Sequence, residues 1–305
     1  MSATRIFAPD RRLAGWLRAA LGGERISHAL RGGLSLRLLA LLPSCLLVYG
    51  CAMKPPSTAF FYGSPVPVLA LSRFERVVVE AENVKDLAGL RVAGADVFAY
   101  VSVGEAEGWR ATASALPQEL FMGNNVAWHS RIADLTQPGW RDYLIEQRMA
   151  RLWGEGYRAF FLDTLDSYQI ALKDPQAQDA QAKALVEIIR AMHRRFPGVQ
   201  LLFNRGFDVL PEAGPLAVGL VAESLFQRWN PMAQAYERVS DEDYNWLLAQ
   251  LKQARSRRLP ITVIDYVPAD QPELARETAR KIAALGFAAW VSTPGLDMIS
   301  AGATQ

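Results

Sequence analysis

The stretch FFLDTLDSY (160–168) drives three apolar residues into Asp163 and repeats an acid at Asp166. A buried run that stops in carboxylates reads either as a polar loop or as a strand delivering acids to a reaction site. LVAES (220–224) has the same form around Glu223, with Val221, Ala222, Leu225 and Phe226 flanking the acid. Other apolar runs also end in polar side chains. Tyr62 follows AFF, Glu80 follows VVV, and Ser102 and Glu105 close DVFAYVSVGE. Asn204 and Arg205 follow LLF, Asp265 and Tyr266 follow TVI, and Ser292 follows AAWV. Six of these eight runs supply a carboxylate or an amide, more than solvated loops would place there.

Several chemistries are poorly supplied. Past residue 51 the only histidines are His129 and His193, too few for a histidine-rich metal centre. His193, in IIRAMHRRF, reads as a surface or interface residue of a helix, and His129, in NNVAWHS, is only a minor candidate for touching substrate. A Ser-His-Asp triad on a nucleophile elbow needs GxSxG, which is missing. Hydride transfer needs a Gly-rich nucleotide loop, and Phe60-Phe61-Tyr62-Gly63-Ser64-Pro65 lacks that glycine spacing. Carboxylates remain. Two of them on opposite sides of a glycosidic bond can cleave it, one attacking or activating water and the other protonating the leaving oxygen. Asp163 and Glu223 suit those roles, against the alternative that each is a hydrogen-bonded structural carboxylate. Asp166 lies past its run, where a loop acid orients a sugar hydroxyl or caps the next segment. Trp109, Trp128, Tyr168 and Trp229 fall in loops after the runs and could stack on sugar faces; Trp140, Trp153 and Trp246 fall in helices and read as core.

The elements that must position these groups are legible from periodicity. The runs at 59–63, 76–81, 96–105, 158–163, 199–204, 219–224, 260–266 and 287–293 are continuously apolar, as parallel strands covered on both faces are. Helical stripes lie between them: Ile145, Met149, Leu152 and Trp153; Leu185, Ile188, Ile189 and Met192; Tyr244, Leu247, Leu248 and Leu251. Ser240 before DEDY reads as one helix cap, and Asp270 with Glu273 as a capping box. Eight strands with intervening helices predict an α/β fold, a single-domain (β/α)8 TIM barrel over 59–297, with a doubly wound sheet as the competitor. Residues 298–305 read as a C-terminal tail. The strand assignment also puts every acid above at a carboxyl end, where barrels carry their chemistry.

Charge and cysteine usage set the leader apart. Seven arginines stand against Asp10 and Glu24 in residues 1–51, while the rest of the chain carries 26 basic and 29 acidic side chains. A mildly acidic body argues against nucleic acid as a partner. GGLSLRLLALLPSCLLVYGC (32–51) has Arg31 and Arg37 before an apolar stretch from Leu38 to Val48. That stretch is short for a membrane span, is broken by Pro43, and reads as the core of an export signal. Val48-Tyr49-Gly50-Cys51 resembles a lipoprotein processing site, although Tyr49 is bulky for one. Lipidation of Cys51 would make a periplasmic or outer-membrane lipoprotein on a short tether, 52–58. A plain cleaved signal or an uncleaved anchor are the alternatives. The long segment before Arg31, with no methionine between Met1 and Met53, also admits a start at a non-ATG codon. Both cysteines, Cys45 and Cys51, lie in this leader, so no disulfide framework is expected beyond it.

YVSVGEAE (100–107), FFLDTLDSY (160–168), LLFNRGFDVL (201–210), LVAESLF (220–226) and VIDYV (263–267) together resemble the endo-α-1,4-polygalactosaminidase type of glycoside hydrolase, family 114 with its relative family 166. The likeness spans 59–297 with the motifs in the same order. It implies endo-cleavage of α-1,4-linked galactosamine or N-acetylgalactosamine exopolysaccharide outside the cytoplasm, with no metal or other cofactor. Asp163 would be the nucleophile and Glu223 the general acid/base of a retaining reaction, or the reverse. Tyr62, Glu105, Asp166, Tyr168, Asn204, Asp265 and Tyr266 would bind substrate. The partners implied are the polysaccharide and its export machinery, with the membrane reached only through a lipid anchor. A non-catalytic sugar-binding lipoprotein on the same barrel, and a hydrolase of another amino-sugar or galactose polymer, are the competing readings.

Overall fold

The computed structural model describes residues 55–92, 94–108 and 115–303; the leader with Cys51, and Trp109, lie outside the described residues. Eight strands form one parallel sheet: β1 (Thr58–Phe61), β2 (Arg76–Val79), β3 (Asp96–Ser102), β4 (Ala159–Asp163), β5 (Gln200–Asn204), β6 (Gly219–Glu223), β7 (Ile261–Tyr266) and β8 (Ala288–Ser292). All eight predicted runs are strands. Neighbours in the sheet are neighbours in the chain throughout. A doubly wound sheet would reverse direction at a switch point, so the order is that of a barrel. Among the described residues no ladder pair joins β1 to β8. That seam is closed instead by Phe60 against Trp290, ring centroids 6.4 Å apart, and by the Tyr62 N–H donating to the Leu296 carbonyl at 2.7 Å.

The strands are buried on both faces, which is why their runs do not alternate in polarity. Inside the barrel, Phe60 packs edge-on to Phe161 with ring centroids at 5.4 Å. Above that layer Tyr62 meets Tyr100, also at 5.4 Å. In-register pairs share a face: Ser102 with Asp163, Tyr100 with Phe161, and Glu223 with Ile264. Two residues on from Ile264, Tyr266 returns to the same face, while Asp265 points to the other.

Outside lie the helices. Pro175–Arg195 starts at Asp174, whose side chain accepts the Ala177 N–H at 2.8 Å. Asp241–Ser256 starts at Ser240, which accepts the Asp243 N–H at 3.1 Å as its sequence predicts. The helix Pro272–Ala284 corrects an expectation: its N-cap is Gln271, with no side-chain cap bond, and Asp270 stands one residue outside. Pro272, whose fixed φ suits the first helical position, sets that start instead. The stripe at Ile145, Met149 and Leu152 is buried on one helical run, Pro138 to Gly154, whose middle, Tyr143–Met149, is wound as π-helix. Trp140 is fully buried there and Trp153 packs half-buried against the core, its ring centroid 5.1 Å from that of Phe196, whereas Trp246 is 39% exposed and departs from the expectation.

Two antiparallel excursions rise from the barrel mouth. Glu105–Glu107, Phe121–Asn125 and Ser130–Ala133 form one after β3; Gln227–Asn230 and Ala235–Arg238 form the other after β6. Residues 298–303 lie along the barrel, where Ser300 Oγ donates to the Val291 carbonyl and the Gly302 N–H to Ser300 Oγ at 3.2 Å.

Candidate active site

Three consecutive strands turn sharply just after their last residue. Thr164, Arg205 and Ser224, which follow Asp163, Asn204 and Glu223, have φ of 62°, 56° and 66°. Left-handed backbone at non-glycine residues costs on the order of 1–3 kcal/mol each and survives only where the surroundings hold it. Those surroundings are visible. The ladder extends one bond past β5 and β6, with Arg205 N–H on the Val221 carbonyl and Ser224 N–H on the Ile264 carbonyl, both at 2.8 Å. After β4, the Val103 N–H donates to the Asp163 carbonyl at 3.0 Å, and the Gly104 N–H to Thr164 Oγ1 at 2.8 Å. A Cβ at Gly104 would lie 2.2 Å from the Thr164 carbonyl oxygen, so glycine alone allows this approach. Trp140 Nε1 donates to the Val103 carbonyl at 2.9 Å and pins the other side of the same turn.

The turns leave Asp163, Asn204 and Glu223 side by side at the mouth. Asn204 Nδ2 donates to Asp163 Oδ1 and to Glu223 Oε1, each at 2.7 Å. Those two oxygens are therefore no more than twice 2.7 Å, or 5.4 Å, apart. Tyr100 OH lies 2.9 Å from Asp163 Oδ2 and 3.1 Å from Glu107 Oε1, one phenolic proton between two carboxylates. Tyr266 OH donates to Glu223 Oε2 at 2.5 Å. Tyr62 completes the ring of side chains, its buried hydroxyl without a hydrogen-bond partner.

Burial, and then the charge of Glu223, push the Asp163 carboxyl up to about 7, against donors from Asn204, the Thr164 backbone and Tyr100. The physical content is that two buried acids this close resist ionising together, so the pair keeps a proton toward neutral pH. Burial raises Tyr62 and Tyr100 far above the ordinary phenol range, with Asp163 the largest charge acting on each. Both phenols are therefore proton donors at this site at any physiological pH.

The other predicted residues stand elsewhere. Asp265 is buried on the opposite face of β7, where Oδ1 accepts the Leu225 N–H at 2.6 Å and Oδ2 those of Phe226 and Gln227 at 2.8 and 2.9 Å. It holds the loop that follows Glu223. Glu105 accepts from Asn125 Nδ2 at 3.1 Å, from Ser130 Oγ at 2.5 Å and from Ser167 Oγ, tying the first excursion to the loop after β4. Tyr168, expected in a loop, instead opens the short helix Tyr168–Ala171; it is buried, its hydroxyl donating to Asp208 Oδ2 at 3.2 Å. Asp166 is buried nearby, and its charge is among the causes raising the Asp208 carboxyl, after burial. His129 is exposed on a hairpin turn, and His193 places Nε2 2.9 Å from the Leu216 carbonyl oxygen. Trp128 is half-buried in the same turn as His129, and Trp229 packs on Tyr236 with ring centroids at 4.9 Å. Sequence reasoning missed Tyr100 and Glu107. Tyr100 shares its strand face with Ser102 two residues on, and that spacing was the available signal. Among the described residues no three His, Cys, Asp or Glu side chains are grouped to hold a metal ion, and no helix is long and apolar enough to cross a membrane.

A parallel barrel with a close acid pair at the carboxyl ends of its strands is the arrangement of glycoside-cleaving enzymes. The comparisons make the class specific. The family model of glycoside-hydrolase family GH114 matches residues 53–304, and the chain belongs to that family. It is a glycoside hydrolase. The glycoside hydrolase domain of PelA from Pseudomonas aeruginosa is 39% identical, over 81% of this chain and 98% of that one, with a TM-score of 0.75. A glutamate-to-alanine variant of that domain aligns at 37% identity with the same coverage and TM-score, 0.75. Ega3 from Aspergillus fumigatus, solved in complex with galactosamine, is 16% identical over 80% of this chain and 95% of that one; its TM-score of 0.59 marks a shared fold. No curated protein sequence matches the chain.

Proposed function

We propose that this chain is an endo-acting hydrolase of α-1,4-linked galactosamine and N-acetylgalactosamine exopolysaccharide, working with retention through Asp163 and Glu223. The observation that carries the mechanism is the limit of 5.4 Å between the two carboxylate oxygens that share Asn204. Retaining enzymes hold their carboxyl groups about 5–5.5 Å apart and inverting enzymes about 6.5–9.5 Å to admit a water; facing oxygens within 5.4 Å are in keeping with the closer spacing. Asp163 takes the nucleophile's role, as the family resemblance implies; burial and the charge of Glu223 outweigh its donors from Asn204, the Thr164 backbone and Tyr100, so the proton the pair holds must sit on Glu223 when Asp163 attacks. Its oxygen bonds to the anomeric carbon as the glycosidic C–O bond breaks, and the Glu223 proton goes to the leaving oxygen. Glu223 then takes a proton from water, whose oxygen displaces Asp163 and restores both groups. Tyr266 holds Glu223 in place through both steps.

The relatives support the substrate. The 39% identical PelA domain is a glycoside hydrolase domain, and Ega3, which shares the fold, was solved with galactosamine; the galactosamine polymer itself is what the family resemblance implies. Such a polymer, where unacetylated, carries positive amines that an acid-lined mouth attracts. The leader supports a place outside the cytoplasm, with Cys51 as a lipid anchor close to the machinery that exports the polymer.

The test is product release from purified α-1,4-galactosamine polymer by wild type and Glu223→Gln, read by mass spectrometry, with the first-formed anomer followed by NMR. Wild type alone should release internal oligosaccharides of retained configuration. Inverted product would overturn the mechanism, and an uncut polymer would move the substrate to another glycan.

A further inference from the structure

The Asn204 amide has a second end. Both protons of Nδ2 are spent on Asp163 and Glu223, at 2.7 Å each. The opposite orientation would set the amide oxygen against two carboxylates, so the network itself assigns the nitrogen to that side. Oδ1 consequently faces away from both acids, is buried, and meets no donor. Asn204 is 3% exposed, so this is an acceptor held out of water beside the reacting groups. Buried carbonyl oxygens are nearly always partnered, and an orphan of this kind calls for an explanation.

The chemistry of a bound sugar supplies one. When Asp163 addresses the anomeric carbon, the atoms flanking that carbon are the ring oxygen and C2. The ring oxygen carries no hydrogen and cannot satisfy an acceptor. The C2 substituent does, whether it is an ammonium, an acetamido N–H or a hydroxyl. We propose that Asn204 Oδ1 accepts a hydrogen bond from the C2 substituent of the sugar whose bond is cut, so that the residue reads C2 while bridging the acid pair. This rests on the amino-sugar hydrolase reading above and deepens it.

Two consequences follow from the amide being one conjugated unit. A donor on Oδ1 draws electron density from Nδ2 and strengthens its bonds to Asp163 and Glu223, a cooperative effect. The C2 group is thereby coupled to the charge on the nucleophile, most strongly when it is a cation. Tyr62 adds the complementary partner. Its hydroxyl is the other unpartnered group of this ring, beside Tyr100, and serves as a donor to an oxygen of the same sugar.

The experiment is a ligand-observed NMR titration of the full chain with galactosamine, galactose and 2-deoxygalactose, for wild type, Asn204→Ala and Tyr62→Phe. Galactose and 2-deoxygalactose are both neutral, so their comparison isolates the hydrogen bond from charge attraction. Wild type should bind galactose about tenfold more tightly than 2-deoxygalactose, the usual consequence of leaving a buried acceptor unpaired. Asn204→Ala should bind the two alike, and Tyr62→Phe should weaken both while keeping their ratio. Should Asn204→Ala weaken both and preserve the ratio, Asn204 is a brace and the inference fails. Equal binding of the two sugars by wild type would overturn it without any variant. A wild type that binds none of the three sugars overturns the amino-sugar reading itself.

Discussion

Asp163 and Asp265 end similar apolar strands, are both buried, and are both pushed up to about 7 chiefly by that burial. Their regions nonetheless do different things. Asp163 faces the barrel interior among side-chain donors and a second acid. Asp265 faces outward, where three backbone N–H groups take up its oxygens. Side-chain donors can rearrange around a new bond to the carboxylate, whereas a loop's backbone cannot without moving the loop. Burial alone thus does not separate the two; the pleat and the kind of donor do.

The largest expected contrast comes from paired substitutions. Asp163→Asn should lower kcat/KM on the polymer by at least about a thousandfold, with stability at or above wild type because a crowded buried acid is removed. Asp265→Asn should instead destabilise by about 2 kcal/mol or more in urea unfolding, since an amide nitrogen would face backbone donors. Loss of turnover in Asp265→Asn with unchanged stability would place Asp265 in the chemistry and dissolve the contrast.

A smaller effect concerns pH and stability. Both carboxyls are raised from an ordinary 3.8, so between about pH 4 and 7 the folded chain holds protons that the unfolded chain has released. Their contribution to stability is full below that window and is lost as pH rises through it. Each Asn variant should flatten part of that decline in a series of thermal unfolding curves; parallel curves for wild type and variants would show that neither acid titrates there.

The finest distinction is within the Asp163 network. If Asp163 must ionise to attack, kcat/KM should rise as pH increases through about 7. Tyr100→Phe removes one donor to the charged form and should move that acidic limb upward by less than about one pH unit. An unmoved limb would make the Tyr100 bond structural.

Much of this architecture is legible in the order of the residues. Runs such as AFFLD and GLVAE are apolar on both faces because helices cover one side and the barrel interior the other, and all eight became strands. The excursions escaped notice since FMGNN, SRIA, QRWN and AYER are short and partly polar, and pair only with each other locally. Asp270 resembled a cap by spacing, but the fixed φ of Pro272 moved the helix start past it.

What the sequence by itself determined is the set of strands and the presence of acids at their carboxyl ends, because burial and hydrophobic period are local properties. Tertiary structure decided which of those acids meet. Asp163 receives its partners from residues 63 and 41 positions away, Tyr100 and Asn204, and Glu223 receives Tyr266 from 43 away. Neighbouring residues such as Asp265 and Tyr266 point to opposite faces, so a one-residue difference separates a loop brace from a partner of the acid pair. Strand register and barrel closure set that parity, and both arise only from the packed whole.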